Sequence, residues 1–372
     1  DAHWVDATTL ELLDLCLDQI SSSRVLILIT ARPSFEHGFG GHPIVTRLAL
    51  NRLGREQVNG IIAKITGGKL LPAELVEEIS SKTDGVPLFV EELTKTVLES
   101  GELRETDTAF ELIGSLSQLA IPATLHDSLM ARLDRLQPIK EVAQTAACIG
   151  REFDFALLSG VSTLGDDALT DALNQLVSAE LIFRRGLPPQ ATYMFKHALV
   201  RDAAYESLLK SRRQAIHARL VSILESEREP VPELLAYHCT RSGELDKAIT
   251  YWRQAGNAAL ARTAYTETIS HFTAAIDLFD QLKSSPQRIE QQLELQIQLA
   301  QGHLAKTGYG SEHAARAYAR AEALLDVTDR NELLIPVSYG LWIGYYMRSE
   351  HEQAYAMVQK LVDQVDQRGD PV

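Results

Sequence analysis

Ala264-Tyr265-Thr266-Glu267-Thr268-Ile269-Ser270-His271-Phe272-Thr273-Ala274-Ala275 decides how the C-terminal part of this chain folds. Thr268, Phe272 and Ala275 are spaced by four and three positions, so they share one face of a helix. The same order of small, bulky and small or apolar residues returns at Ala248, Trp252 and Ala255, and again at Ala314, Tyr318 and Ala321. A looser copy stands at Ala354, Val358 and Leu361. Alternating small and bulky side chains lets neighbouring helices interdigitate, and a unit that recurs in this way stacks on its own kind. Every segment from Pro232 onward is helical by periodicity, which predicts a helical superhelix over residues 229–372. The intervals between copies are uneven, and Gly308-Tyr309-Gly310 marks one interruption.

Working outward, residues 119–228 combine helices with one hairpin. Ile121-Pro122 opens a helix through Leu125, Leu129, Leu133 and Leu136, and further helices are expected near residues 139–149, 153–159 and 168–178. Leu181-Ile182-Phe183-Arg184-Arg185, a Gly-Leu-Pro-Pro turn and Thr192-Tyr193-Met194-Phe195 form a hairpin by alternation and turn chemistry. Helices capped by a hairpin resemble a winged-helix domain. Residues 53–118 hold a small helical subdomain, with helices over 56–65, 72–81 and 88–100, and then a polar linker over 101–119. Residues 1–52 carry the parallel-sheet signal. There, 8–20 is helical through Leu10, Leu13, Leu17 and Ile20, and 24–30 is a β-branched and Leu run of the kind buried on both faces of a sheet. A second short strand fits 46–50. Asp6 is placed to cap the helix that starts near Thr8.

Composition narrows the class. A chain of 372 residues with 45% hydrophobic content buries a sizeable core and suggests two to four domains. The longest apolar stretch, Val25-Leu26-Ile27-Leu28-Ile29, is too short to span a bilayer, and a cytoplasmic location is expected. Cys16, Cys148 and Cys239 lie far apart without a CxxC pair, which favours reduced thiols over a zinc site or a disulfide framework. A formal charge of −14 works against nonspecific nucleic-acid binding. Lys196, Arg201, Lys210, Arg212, Arg213 and Arg219 form the one local basic stretch, for which a solvated helix face is the simpler account.

Four segments carry a resemblance to a known family: Asp1-Ala2-His3-Trp4-Val5-Asp6, Thr30-Ala31-Arg32-Pro33, Asp84-Gly85-Val86-Pro87-Leu88-Phe89-Val90-Glu91-Glu92-Leu93, and Phe195-Lys196-His197-Ala198-Leu199-Val200-Arg201-Asp202-Ala203-Ala204-Tyr205. In this order, and with tetratricopeptide-type helices after them, they resemble a STAND-type signalling ATPase. They are most similar to the bacterial predicted ATPases found behind class III adenylate/guanylate cyclase domains. The resemblance implies a mainly α fold. Its parts are the remnant of a truncated P-loop α/β domain over 1–52, a helical lid and linker over 53–118, a winged-helix domain over 119–228, and a tetratricopeptide-like superhelix over 229–372. The chain is then expected to begin inside the ATPase domain.

The resemblance also assigns residues. Asp1 matches the second acidic position of the Walker B motif, credited with polarising the attacking water. Arg32 follows a buried strand and precedes a proline, so it is expected at the carboxyl edge of a sheet, where nucleotides bind in open α/β folds. By resemblance it is the sensor arginine for the γ-phosphate, with Thr30 adding a hydroxyl contact. Gly85 supplies an unusual backbone angle, Pro87 pre-sets the first turn of a helix, and both belong to the element that packs on adenine in the family. His197 resembles the histidine that reaches the β-phosphate of ADP, although Ala198 stands where the family has Asp.

Two further stretches are dismissed. Thr66-Gly67-Gly68-Lys69-Leu70 lacks the glycine and the Ser or Thr of a P-loop, so it is expected to be a turn. His37-Gly38-Phe39-Gly40-Gly41-His42 offers two imidazoles without a metal-ligand cluster around them, and a loop is the better reading. ATP or ADP with Mg²⁺ is expected to serve the longer protein, whereas this portion, without a P-loop, is expected neither to bind ATP tightly nor to hydrolyse it. The expected function is the regulatory and partner-binding part of an ATP-dependent switch, with a protein or small-molecule ligand on the repeats, a nucleotide-dependent oligomer, and a cyclase as one candidate output. The rivals are a DNA-binding regulator and a repeat scaffold.

Overall fold

The computed structural model describes residues 2, 5–20, 23–33, 35, 38–113, 121–136 and 139–368, with side chains through residue 363. The chain divides into two compact units, Asp1–Arg47 with Leu224–Val372, and Leu48–Ile223. Helices dominate both, and among the described residues the strands form only a two-stranded and a three-stranded sheet, neither of them closed.

The first unit opens with α1 (Ala7–Gln19), whose N-cap is Asp6. The Asp6 carboxylate accepts hydrogen bonds from the Thr9 amide at 2.8 Å and the Thr9 hydroxyl at 2.7 Å, satisfying a donor the helix cannot pair internally. These bonds hold its carboxyl below the ordinary value. The expected strands do not form. Residues 25–30 and 45–50 have no strand conformation, and Leu26, Leu28, Leu48 and Leu50 are 91%, 82%, 80% and 96% exposed. A strand buried on both faces needs a ladder partner on each side, and no described strand lies beside either run.

The second unit begins with α2 (Arg55–Ile65), α3 (Ala73–Thr83) and α4 (Pro87–Leu98). Their apolar stripes meet in a core that includes Val58, Ile62, Leu75, Ile79, Val90 and Leu93. Where a linker was expected, β1 (Leu103–Glu105) and β2 (Phe110–Leu112) pair antiparallel, and Leu70 joins them through backbone bonds to Thr108 and Phe110. Next come α5 (Leu125–Arg135), capped by Thr124, and α6 (Lys140–Ile149). β3 (Glu152–Asp154), α7 (Phe155–Val161), α8 (Asp166–Ser178), β4 (Ile182–Arg185), β5 (Thr192–Phe195), α9 (Ala198–Glu206) and α10 (Lys210–Glu225) follow. The hairpin β4–β5 stands as expected, and β3 adds a third strand that gives the antiparallel order β3-β5-β4. Leu158, Leu169, Leu173, Leu176, Tyr193 and Phe195 are fully buried beneath this sheet, each contributing about 1.5–3 kcal/mol by burial.

The first unit resumes as a run of helices, α11 (Pro232–Ser242), α12 (Leu245–Ala261), α13 (Tyr265–Asp277), α14 (Pro286–Thr307), α15 (Glu312–Leu325), α16 (Leu334–Met347) and α17 (His351–Arg368). Each packs on the next. The periodic residues Ala248, Ala255, Thr268, Phe272, Ala275, Ala314, Tyr318 and Ala321 are all buried. Glycine deepens the fit, since a Cβ on Gly256 would lie 2.4 Å from the Phe272 ring and one on Gly340 would lie 2.5 Å from Tyr318. The looser copy is only partly covered, with Ala354 buried and Val358 42% exposed. α1 lies along α13, where Glu267 accepts from the Thr8 amide at 2.9 Å and Thr266 donates to Glu11 at 3.0 Å.

Candidate functional site

The site in the second unit is built by the way α4 begins. α3 ends at Asp84 in the left-handed conformation, and Gly85 follows at φ +67°. Only glycine fits there. Besides the positive φ, a Cβ would come within 2.3 Å of the Leu53 carbonyl oxygen, and the Gly85 carbonyl accepts from the Leu53 amide at 2.8 Å. Pro87 then occupies the first turn of α4, where no amide proton is needed. This junction sets the course of α4 and presents Pro87, Leu88 and Glu91 to the neighbouring surface.

Those three residues line one pocket of about 470 Å³ together with Ile61, Lys64 and Ile65 of α2 and His197. Pro87 and His197, far apart in sequence and both expected at a nucleotide site, therefore share a wall. His197 holds the N-cap position of α9 with an extended backbone. Its Nε2 is buried without a hydrogen-bond partner among the described residues. Burial keeps the imidazole below its ordinary value, against the pull of Glu91 and Glu92 and with the push of Lys196 and Lys95. It is thus a neutral ring near pH 7, with an unused polar atom beside apolar walls.

Behind the pocket, Glu91 belongs to a four-charge cluster. Lys95 donates to Glu91 at 2.9 Å and also pairs with Glu180, while Lys196 reaches Glu91 at 3.1 Å and Glu180 at 3.3 Å. Burial pushes the Glu91 carboxyl up, but the two ammonium groups outweigh it and hold it below the ordinary value. Glu180, bonded to Lys95 and Lys196, is drawn down to about 2. The cluster ties α4 to the segments around β4 and β5. Arg132 of α5 fastens the other side of α4 through its buried pair with Glu92.

Gly85 lies two residues before Pro87, at the foot of the same wall. Thr30 and Arg32 belong to the other unit, in an exposed segment without regular secondary structure where the Thr30 carbonyl accepts from the Ala2 amide at 2.7 Å. Asp1 lies outside the described residues, as does His37. His42 pairs with Asp18 at 2.8 Å. The stretch Thr66-Gly67-Gly68-Lys69 is a turn, with both glycines at positive φ and the Thr66 hydroxyl donating to the Lys69 carbonyl at 2.7 Å. Sequence reasoning missed Lys64 and Glu91. Glu91 stood within a quoted motif without a role, and Lys64 carried no signal beyond its place on an amphipathic helix.

The basic stretch is largely spent on internal contacts. Arg201 pairs with Asp202, Arg212 with Glu141 at 3.1 Å, and Arg213 stacks over the Tyr205 ring at 5.1 Å. α8, which follows α7 across a short turn and precedes the hairpin, exposes Asp167, Ala168, Asp171, Asn174 and Gln175 and carries no Lys or Arg. No helix among the described residues is long and apolar enough to cross a membrane.

No known family profile matches the chain. It is 29% identical over 367 residues to an uncharacterized protein of Rhizobium meliloti (strain 1021), a match covering 95% of this chain and 35% of that protein. The chain thus spans about a third of the length of this curated relative. Among solved structures it is similar to a STAND protein with a tetratricopeptide repeat sensor from Pyrococcus horikoshii, at 12% identity and a TM-score of 0.36, over 86% of this chain and 48% of that chain. It is also similar to BtubC from P. vanneervenii, at 13% identity and a TM-score of 0.24, over 66% of this chain and 94% of that one.

Proposed function

We propose that this chain is the regulatory and partner-binding portion of an ATP-dependent signalling switch of the STAND type. The observation that carries the reading is the pocket in which Pro87 meets His197. The residues fit a nucleotide. Pro87, Leu88, Ile61 and Ile65 offer apolar contact to a flat base, and the His197 imidazole adds a ring to the same wall. In the longer protein ATP or ADP with Mg²⁺ would supply the charge whose presence the switch reads. Asp1, Thr30 and Arg32 keep the γ-phosphate roles that the resemblance assigns to them, independently of this pocket.

In this reading the sheet β3-β5-β4 with α6, α7 and α8 is a winged-helix domain put to use as a lever. The repeats α11 to α17 bind a protein or small-molecule ligand that biases the switch, and a linked nucleotide cyclase is the output we favour. DNA binding is disfavoured by the acidic exposed face of α8, because phosphate contacts need cations there. The test is nucleotide retention by the longer protein. Pro87→Ala and His197→Ala are expected to lower ADP affinity by about tenfold each, the size of one lost contact of about 1.4 kcal/mol. Unchanged ADP affinity in both variants would sink the reading.

A further inference from the structure

Glu91 stands at the one place where the pocket and the charged cluster meet. Its side chain is 29% exposed and lines the pocket, while its carboxylate accepts from Lys95 at 2.9 Å and from Lys196 at 3.1 Å. Lys196 is the chain neighbour of His197, and Lys64 stands on the pocket wall. Lys64 is thus the lysine on the pocket wall, Lys95 and Lys196 stand behind it, and Glu91 is the acidic residue that joins the two. Two anions a few ångströms apart in a partly desolvated pocket repel strongly, so they do not share the lysines at no cost.

We propose that Glu91 is an internal competitor for the anionic part of the pocket's ligand: its carboxylate holds Lys95 and Lys196 behind the pocket wall, and a phosphoryl group must displace it to gain them. The proposal rests on the nucleotide reading of the pocket and adds a regulatory consequence to it. Lys95 and Lys196 also hold Glu180, which precedes β4 and does not line the pocket. Displacing Glu91 redistributes these pairs, so occupancy of the pocket is felt at the junction between α4 and the sheet. Glu91 is in this sense a specificity-determining residue, since it penalises anions while leaving an uncharged base unopposed.

The experiment is an NMR titration of the 372-residue chain with two separate probes, inorganic pyrophosphate and adenosine, in the parent, Glu91→Gln, Glu91→Ala and Glu180→Gln, with far-UV circular dichroism as the folding check. Glu91→Gln keeps the shape and removes the charge. It is expected to bind pyrophosphate roughly tenfold more tightly than the parent and adenosine equally well. Glu91→Ala repeats the charge loss and guards against an effect peculiar to the amide. Glu180→Gln loosens the same lysines from outside the pocket and is expected to bring no gain.

Pyrophosphate binding in Glu91→Gln that is equal to or weaker than that of the parent overturns the proposal and leaves the nucleotide reading standing. An equal gain in Glu180→Gln also overturns it, by showing that loosening the cluster is enough. Loss of adenosine binding in Glu91→Gln overturns it by assigning the carboxylate to the base. Failure of both probes to bind any of the four chains even weakly, at about millimolar concentration, removes this pocket as a nucleotide site, and the competitor with it.

Discussion

Arg132 on α5 and Glu92 on α4 form an ion pair in which both side chains are almost wholly buried, 3% and 2% exposed. The Arg132 guanidinium also donates to Glu99 at 3.3 Å and to the Ala179 carbonyl at 2.7 Å. Burial opposes its charge, yet Glu92 and Glu99 outweigh that cost and raise its pKa. A buried pair of this kind is weakly stabilising as a whole and strongly destabilising when halved, because the remaining charge stays in the interior. Arg132→Met is expected to destabilise the Leu48–Ile223 unit by about 3–5 kcal/mol. The double variant Arg132→Met/Glu92→Leu should recover most of the loss. Urea unfolding followed by far-UV circular dichroism checks this, since Trp4, Trp252 and Trp342 all lie outside that unit. A single variant as stable as the parent would contradict the buried pairing.

Gly256 of α12 packs face to face with Phe272 of α13 so closely that a methyl group would enter the ring. Gly256→Ala is expected to cost about 1–3 kcal/mol by overpacking, although alanine is the better helix former. Combining it with Phe272→Leu should return part of that stability by making room for the methyl. Trp252, one turn away on α12, reports the transition by fluorescence. Stabilisation by Gly256→Ala would mean that the two helices stand further apart than they do here.

How much of this was legible in the chain follows from what each signal depends on. The repeats were readable because small and bulky residues recur at helical spacing, and the three regular copies pack on the helices beside them. The hairpin β4–β5 was readable because its turn is rich in Gly and Pro and its strands alternate. β1, β2 and β3 span three residues each, too short for any period to show. The runs 24–30 and 46–50 were read as strands from their own composition, yet a sheet is a property of neighbours, and none of the described strands pairs with them. At the candidate site Pro87 and His197 were found through the motifs around them. Lys64 and Glu91 were not, because only packing brings α2 and α4 against His197.

The α3–α4 junction makes a sharp prediction at Gly85. Its φ of +67° and its contact with the Leu53 backbone leave no space for a side chain. Gly85→Ala is expected to destabilise the unit by about 1–3 kcal/mol through strain and steric conflict together. Since this turn also sets the course of Pro87, the variant should reduce ADP retention in the longer protein, while Gly67→Ala, in an open turn, should leave it unchanged. Equal effects of the two substitutions on ADP retention would disconnect the junction from the pocket.

The cluster of Glu91, Lys95, Glu180 and Lys196 fixes a direction with pH. Glu180 is drawn from an ordinary value of 4.5 to about 2, so its contribution is complete above 4.5 and is lost as pH falls through about 2. Glu91 is lowered as well and acts with the same sign. Lys95 is raised, so its share holds below 10.5 and fades only at higher pH. Because the Glu180 side chain is 57% exposed, solvent screening limits the effect to on the order of 1 kcal/mol or less. The stability difference between the parent and Glu180→Gln should therefore shrink steadily between pH 4.5 and 2 and should narrow in high salt. A difference that stays constant across that range would mean Glu180 is not held by the lysines.

If residues 119–228 act as a winged-helix domain, α8 is the helix that would lie on a duplex, yet it presents Asp167 and Asp171 and no cation, and Arg184 of β4 is engaged by Asn174 at 2.8 Å. Arg212 and Arg213 of the basic stretch are occupied by Glu141 and Tyr205. With a net charge of −14 the whole chain adds repulsion over the longer range. No complex with duplex DNA is expected in a mobility-shift titration even at about 50 mM salt, where a protein with six or more phosphate contacts binds far more tightly than at physiological salt. Replacing Asp167 and Asp171 together by Lys should leave the core intact, since both side chains are exposed, and should create weak, steeply salt-dependent binding. Tight binding by the parent chain, falling off with salt, would return the DNA-regulator reading to the front and would require α8 to face away from the duplex.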